Sequence, residues 1–261
     1  MEHDNTKIYL EQRQSQILSL LEEKGSVRVS ELSERFGISG ATIRKDIRAL
    51  ESLGKLRRTH GGAISIEESE ISREEAETIS RSEKIAIAKK AAELIQDGDI
   101  FLVQSGSTCL ELVRALKGKK NITIITCDLK TAILAEDVLS DGTIIMLGGP
   151  LRTGYHYSHG SEPLKQLQNY RIPKAFISTN AFGFDVGFTA HQVSQAEWVH
   201  AITEKAESTI MLMDSKKIGA NGLAHSHDLC DIDCLIMDSG VSEEDRARFT
   251  VEAPDLKIIY A

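Results

Sequence analysis

The stretch SGATIRKDIRALESLG, residues 39–54, decides how the N-terminal part of this chain is read. Ser39 is placed to cap a helix over Gly40–Leu53, and Gly54 is placed to end it. Within it Ile43, Ile47 and Leu50 recur at i, i+4 and i+7, so they share the stripe that packs inward. Thr42, Lys45 and Arg48 fall on another side, with Arg44 flanking them. A helix with a short polar and cationic face fits the DNA major groove, where its N-terminal residues reach base edges. Ser39 and Thr42 suit phosphate contacts, and Thr42 also suits a thymine methyl group. Arg44, Lys45 and Arg48 suit guanine edges or phosphates. Asp46 breaks the pattern and is expected to pair with a neighbouring arginine.

Upstream of it, Leu10, Ile17, Leu18 and Leu21 mark one face of a helix over Thr6–Lys24, with Gly25 as its stop. Val27 and Val29 alternate with Arg28 as in a short strand, Ser30 is placed to cap a helix over Glu31–Phe36, and Gly37 supplies the turn. On the other side, Lys55–His60 and Ala63–Ile66 read as two strands around Gly61-Gly62, a hairpin wing. Arg57, Arg58 and His60 on that wing are placed to touch the DNA backbone or the minor groove. Residues 1–66 therefore read as a winged helix-turn-helix, with the helix-turn-helix at about 26–45, and double-stranded DNA as partner. The competing reading is a protein-interaction domain with a basic solvated face. Caps, core stripe, basic face and wing agree better with the DNA geometry.

The net charge of −8 is compatible with DNA binding once it is divided along the chain. Residues 24–60 carry 9 basic and 4 acidic side chains, whereas residues 63–261 carry 20 basic and 30 acidic ones. Phosphate attraction is local, screened within roughly 8–10 Å at ordinary salt. The split implies two modules. Four scattered cysteines, Cys109, Cys127, Cys230 and Cys234, do not make a disulfide framework. No apolar run approaches the roughly 18–20 residues of a bilayer span, and the N-terminus lacks a signal-peptide pattern, so a cytoplasmic protein without membrane association is expected.

Residues 67–82 hold six Glu against Arg73 and Arg81 and read as an acidic, solvated helical linker. From residue 83 to 261, helices at 83–96, 108–116 and 129–139 alternate with β-branched runs at 100–103, 122–126 and 143–147. Further strands are expected at 175–178, 209–213, 234–237 and 256–260. Continuous apolar strands between amphipathic helices predict a mostly parallel α/β sheet covered on both faces.

In that second module the sequence FLVQSGSTCLELV, 101–113, ends a strand, turns through small residues and starts a helix. Backbone N–H groups at a helix N-terminus, with the hydroxyls of Ser105, Ser107 and Thr108 around Gly106, suit a phosphate. An ordinary capped turn is the plain alternative. Other strand ends carry Thr126 and Asp128, Gly148 and Gly149, and Asp214 and Lys216, and ligands of open α/β sheets sit at such ends. Phosphate loop, carboxylate and lysine together suit a phosphorylated sugar or polyol, although Asp128 also suits a helix cap and Lys216 a surface charge. His156, His159, His191 and His200 suit polar loop or pocket positions, and one or two of them, with Tyr155 and Tyr157 of the long segment 151–160, are further pocket candidates. His225, His227, Cys230 and Cys234 include metal-ligand residue types, but their spacing fits no standard zinc pattern. No metal and no cofactor are expected.

Arg13-x3-Ile17-x3-Leu21, then Ser39-x2-Thr42-Ile43-Arg44-Lys45-Asp46-Ile47, with RRTHGGA at 57–63, resembles the signature of the DeoR family of bacterial transcription regulators. The resemblance extends over nearly the whole chain. It implies a C-terminal domain similar in fold to ribose phosphate isomerases that binds a sugar phosphate, and DNA binding, usually repression of a carbohydrate operon, modulated by that effector. The helical linker and the two-fold symmetry of operators point to a homo-oligomer, dimer or tetramer. SGST, GG and DSK follow the family pattern, whereas Gln104 stands where the family usually has Asp, and Cys127 where it usually has Asn. A sugar-phosphate isomerase with an accessory DNA domain is the alternative, but Gln104 cannot act as a general base and Asp128 is the only local candidate.

Overall fold

The computed structural model describes residues 10–24, 26–52, 55–59, 61–65 and 73–261. The chain divides into two compact units, residues 1–71 and 72–261.

The first unit runs α1 (Leu10–Lys24), β1 (Ser26–Arg28), α2 (Val29–Phe36), α3 (Gly40–Ser52), β2 (Leu56–Arg58) and β3 (Gly62–Ser65). The strands form an antiparallel sheet in the order β1-β3-β2. Ile17, Leu20 and Leu21 of α1, Leu32 of α2, and Ile43, Ile47 and Leu50 of α3 close a single core with Val27, Leu56 and Ala63. The expected stripe of α3 is thus buried. Leu10 is exposed and Leu20 takes the inward place. Gly25, Leu53, Gly54, His60 and the first part of the expected linker, 67–72, lie outside the described residues.

The start of α2 differs from expectation. The helix begins at Val29, with Arg28 in extended cap geometry and no side-chain cap, so Ser30 does not cap it. The Val29 N–H donates to Gly61 O at 2.8 Å, so a donor in the first turn of α2 is satisfied by the wing. Gly62 is required there, because a Cβ on it would meet Val27 O at 1.9 Å.

The second unit opens with α4 (Arg73–Thr78) and α5 (Arg81–Ala92), followed by β4 (Ile100–Val103), α6 (Ser107–Ala115), β5 (Thr123–Thr126), α7 (Leu129–Val138) and β6 (Thr143–Met146). After α8 (Ser161–Leu167) come β7 (Lys174–Ser178), β8 (Ala181–Gly183), β9 (Gly187–Ala190) and α9 (Val193–Lys205). The chain finishes with β10 (Thr209–Met213), β11 (Ala224–His227), β12 (Cys234–Met237), α10 (Glu243–Glu252) and β13 (Lys257–Tyr260). Seven strands form a wholly parallel sheet in the order β13-β12-β10-β7-β4-β5-β6. One apolar cluster, with Phe101, Phe176 and Ile236, covers one face, and another, with Leu102, Ile177 and Met211, covers the other. The alternation along β4 and β7 splits their side chains between the two.

The helix α10 lies between two expected strands and is an addition to the expected pattern. The helices α8 and α9 and the small antiparallel sheet β11-β9-β8 also stand outside the expected elements. The described part of the linker also differs from the solvated helix expected for it. Arg73 is only 6% exposed, and α4 is part of the second unit, held there by an ion pair to the fully buried Asp128.

Candidate functional site

The recognition-helix candidates share one element. Ser39 caps α3, its Oγ accepting from Thr42 N at 3.2 Å and lying 2.9 Å from Thr42 Oγ1. Arg44, Lys45 and Arg48 are exposed along α3. Asp46 is buried and held by Arg13 of α1, whose Nε donates at 2.6 Å and Nη2 at 3.2 Å. The acidic residue within the basic face is thereby turned inward to fix α1 on α3. Arg58 of the wing is tethered to Glu51 near the end of α3 through its backbone N–H, at 3.2 Å, and its guanidinium. Arg57 lies on β2, but its side chain, like His60, is outside the described residues.

In the second unit the strand order reverses between β4 and β7, since β5 and β6 extend to one side and β10, β12 and β13 to the other. A crevice opens at such a switch point, beyond the carboxyl ends of the two strands. Gln104, Ser105, Gly106, Ser107 and Thr108 leave β4 at that place and enter α6. Gly106 approaches β7 so closely that a Cβ would lie 2.4 Å from Ser178 Oγ. Thr108 is 1% exposed, and its Oγ1 has no hydrogen-bond partner among the described residues. Burial without a partner is costly for a hydroxyl, so this atom is suited to receive a ligand oxygen.

Cations gather around the loop. Arg73 Nη2 donates to Gly106 O at 3.3 Å and lies 2.9 Å from Asp128 Oδ2. Asp128 caps α7 by accepting from Thr131 N at 3.0 Å. Burial pushes its carboxyl above the ordinary range, and Arg73 is the largest opposing influence. Lys84 is buried and donates to Ala76 O at 2.6 Å and Ile79 O at 2.7 Å, closing the turn between α4 and α5. Its pKa falls to about 8, first from burial and next from the charge of Lys217. Lys217 donates to Thr179 O at 2.6 Å and stands 3.7 Å from Asp214.

Lys216 is placed differently from the expectation for it. Its side chain is 65% exposed and pairs with Glu83 at 3.4 Å, while the adjacent Lys217 turns inward. Gly148 is also engaged elsewhere, exchanging hydrogen bonds with the Gln166 side chain at 3.0 and 3.2 Å. A Cβ on Gly149 would crowd Pro163 of α8, so both glycines seat that helix at the end of β6.

A cavity of about 230 Å³ adjoins the loop, lined on one side by Gln104 and Ser105. Tyr157 and His159 from the long segment, Leu164 from α8, and Gln195 and Trp198 from α9 complete its main walls. Tyr155 and His156 are used otherwise, under the Arg152 guanidinium and 3.5 Å from Glu74 respectively. Gln195 and Trp198 escaped the sequence reading because α9 did; the apolar spacing Val199, Ile202 after Ala196 was its available signal. Arg73 was hidden by its setting in a glutamate-rich stretch. His225 pairs with Asp228 at 3.2 Å, and His227 is buried in the small sheet. Among the described residues no group of three His, Cys, Asp or Glu could hold a metal ion.

A winged helix with a cationic α3, followed in one chain by a parallel α/β unit with a loop crevice at its switch point, is the build of a two-part transcription regulator. Residues 13–69 match the DeoR-like helix-turn-helix domain, and residues 79–239 match the DeoR C terminal sensor domain. An uncharacterized HTH-type transcriptional regulator of Bacillus subtilis, YulB, is 34% identical, covering 88% of this chain and 89% of that protein. The lactose phosphotransferase system repressor of Streptococcus mutans is 32% identical over 87% of this chain and 92% of its own. The regulator GolR of Listeria innocua is 30% identical over 89% and 92%. The chain belongs to the DeoR family and is a DNA-binding transcription regulator, not an enzyme. Among solved structures, ribose 5-phosphate isomerase A of Methanocaldococcus jannaschii is similar with a TM-score of 0.38 and 16% identity, over 52% of this chain and 53% of that one. No helix among the described residues is long and apolar enough to cross a membrane.

Proposed function

We propose that this regulator represses a carbohydrate-utilisation operon, and that a phosphorylated sugar or polyol bound at the β4–β7 crevice weakens its hold on the operator. The observation that carries the reading is the Gln104–Thr108 loop at the switch point. It combines an α6 N-terminus that no side chain of the described residues caps, the orphaned Thr108 hydroxyl and the nearby Arg73, Lys84 and Lys217 charges. The phosphate takes the loop, and the carbon chain extends into the cavity past Ser105. Ser39, Thr42, Arg44, Lys45 and Arg48, supported by the wing residues Arg57, Arg58 and His60, form the operator-facing surface. The protein works in the cytoplasm as a homo-oligomer matched to a two-fold operator.

Two measurements test this. Gel shifts on the upstream region of its own gene should show duplex binding that weakens steeply with salt. A thermal-shift screen against phosphorylated sugars should yield at least one ligand that raises the unfolding midpoint and releases the DNA. Gly106→Ala should weaken that response, because its methyl would come within 2.4 Å of Ser178 Oγ and force that hydroxyl to turn away from the loop. Binding that is insensitive to every phosphorylated sugar would overturn the effector assignment.

A further inference from the structure

The pocket-facing chemistry of Gln104 is decided by what its other end does. Its backbone N–H donates to Phe176 O at 3.0 Å, and its side-chain Oε1 accepts from Ser178 N at 2.7 Å, so main chain and side chain are both fastened to β7. A backbone N–H can only donate, so the amide atom facing it must be the oxygen. The flip of this amide is therefore determined by its partner, not by choice. The Nε2 group is left toward the cavity that Gln104 lines, with no partner among the described residues. Gln104 itself is 7% exposed, which holds that donor in place.

We propose that the ligand presents an acceptor-only oxygen, a carboxylate or a carbonyl, to Gln104, and that this amide sets the ligand class. The inference rests on reading the crevice as the effector site. A second donor in the walls points the same way. The Trp198 indole N–H is buried without a partner among the described residues, and an indole nitrogen donates only. Tyr157 offers no free acceptor in compensation, because its hydroxyl already receives Arg152 Nη1 at 2.6 Å and Gln195 Nε2 at 3.4 Å. The acidic residue on the lining, Glu197, is exposed on α9. A carboxylate at position 104 would behave oppositely. One oxygen would keep the Ser178 bond, and the other would demand a ligand hydroxyl and repel a carboxylate. The lining also carries acceptors, among them the buried Gln195 Oε1, so the discrimination is local to position 104, where a fixed donor left without a ligand acceptor is costly.

The test uses the full chain and matched pairs that differ at a single carbon. Aldonate and alditol phosphates of four, five and six carbons, such as 6-phosphogluconate against glucitol 6-phosphate, compare a carboxylate with a hydroxyl. N-acetylglucosamine 6-phosphate against glucose 6-phosphate tests an amide carbonyl in place of a hydroxyl, and inorganic phosphate alone reports the loop. Calorimetric titration should show the acceptor member of a pair binding about tenfold or more tighter. Gln104→Glu, nearly isosteric and able to keep the Ser178 bond, should erase or invert that ratio. Equal binding, preference for the hydroxyl member, or an unchanged ratio in Gln104→Glu would overturn this inference while leaving a sugar-phosphate effector in place. Should Gln104→Glu fail to fold, the wild-type ratio alone decides. Silence toward every phosphorylated compound would instead overturn the effector reading, and this inference with it.

Discussion

Arg73 and Asp128 form an ion pair at 2.9 Å between the first residue of α4 and the cap of α7, both of them buried. Arg73 follows the last wing strand by only a few residues in the chain and reaches the carbonyl of Gly106 on the candidate anion loop. The same helix is held by Lys130, which meets Glu74 at 3.1 Å and Glu77 at 3.0 Å. Removing one member of a buried pair leaves the other charge uncompensated, at a cost of roughly 3–5 kcal/mol. Arg73→Ala should therefore lower stability strongly in urea unfolding. Asp128→Asn, which keeps an acceptor for Thr131 N, should cost less. Additive effects in the double variant would sink the idea that the two act as one unit.

On α3 the exposed cations are separable from the buried acid. Arg44→Ala should lower operator selectivity, and Lys45→Ala should reduce the slope of log affinity against log salt by about 1 for each phosphate left unneutralised. Neither should change the unfolding midpoint by more than a surface substitution does. Asp46→Ala should behave differently, removing the α3 carboxylate to which Arg13 of α1 donates and destabilising the first unit before it changes selectivity. Footprinting beside thermal unfolding of the three variants separates these outcomes.

Lys84 provides a pH signature. Its folded-state pKa of about 8 is below the unfolded value of 10.5, so between those values the unfolded chain binds more protons. Stability should accordingly rise with pH from about 8 to 10.5, relative to a Lys84→Met reference. An anion on the neighbouring loop would favour the charged amine. Effector binding near pH 8.5 should therefore take up protons, visible as a dependence of the calorimetric heat on the buffer's ionisation enthalpy.

The acid limb belongs to His227. It is 1% exposed, neither ring nitrogen has a partner among the described residues, and burial pushes its pKa down to about 4. Facing it are His200, whose ring lies 5.6 Å away, with Asp231, His225 and Asp228 nearby. The neutral ring is stable above pH 6.5. As pH falls toward 4 the unfolded chain takes up the proton first, and stability should drop by on the order of 3 kcal/mol. His227→Leu should flatten urea midpoints between pH 6.5 and 4, and an unchanged acid slope would count against it.

Local pattern and charge carry the part of this protein that is legible in the chain alone. The helical stripe of Ile43, Ile47 and Leu50, the Ser39 cap, the glycine turn of the wing and the Ser105–Thr108 turn each depend on residues a few positions apart. So does the alternation of apolar strands and helices that makes the sheet parallel. Everything that depends on strand order was settled by the tertiary structure. The reversal between β4 and β7 brings Gln104 against Ser178, 74 residues away, and so fixes which end of its amide is fastened to β7. The same long-range packing converts Arg73 from a linker charge into the partner of Asp128 and turns Lys217, not Lys216, inward to Thr179 and Asp214. It also brings Trp198 from an unforeseen helix to the cavity wall. No periodicity encodes such pairings, because their energy comes from burial and charge shared between distant segments, and only the closed fold brings those segments together.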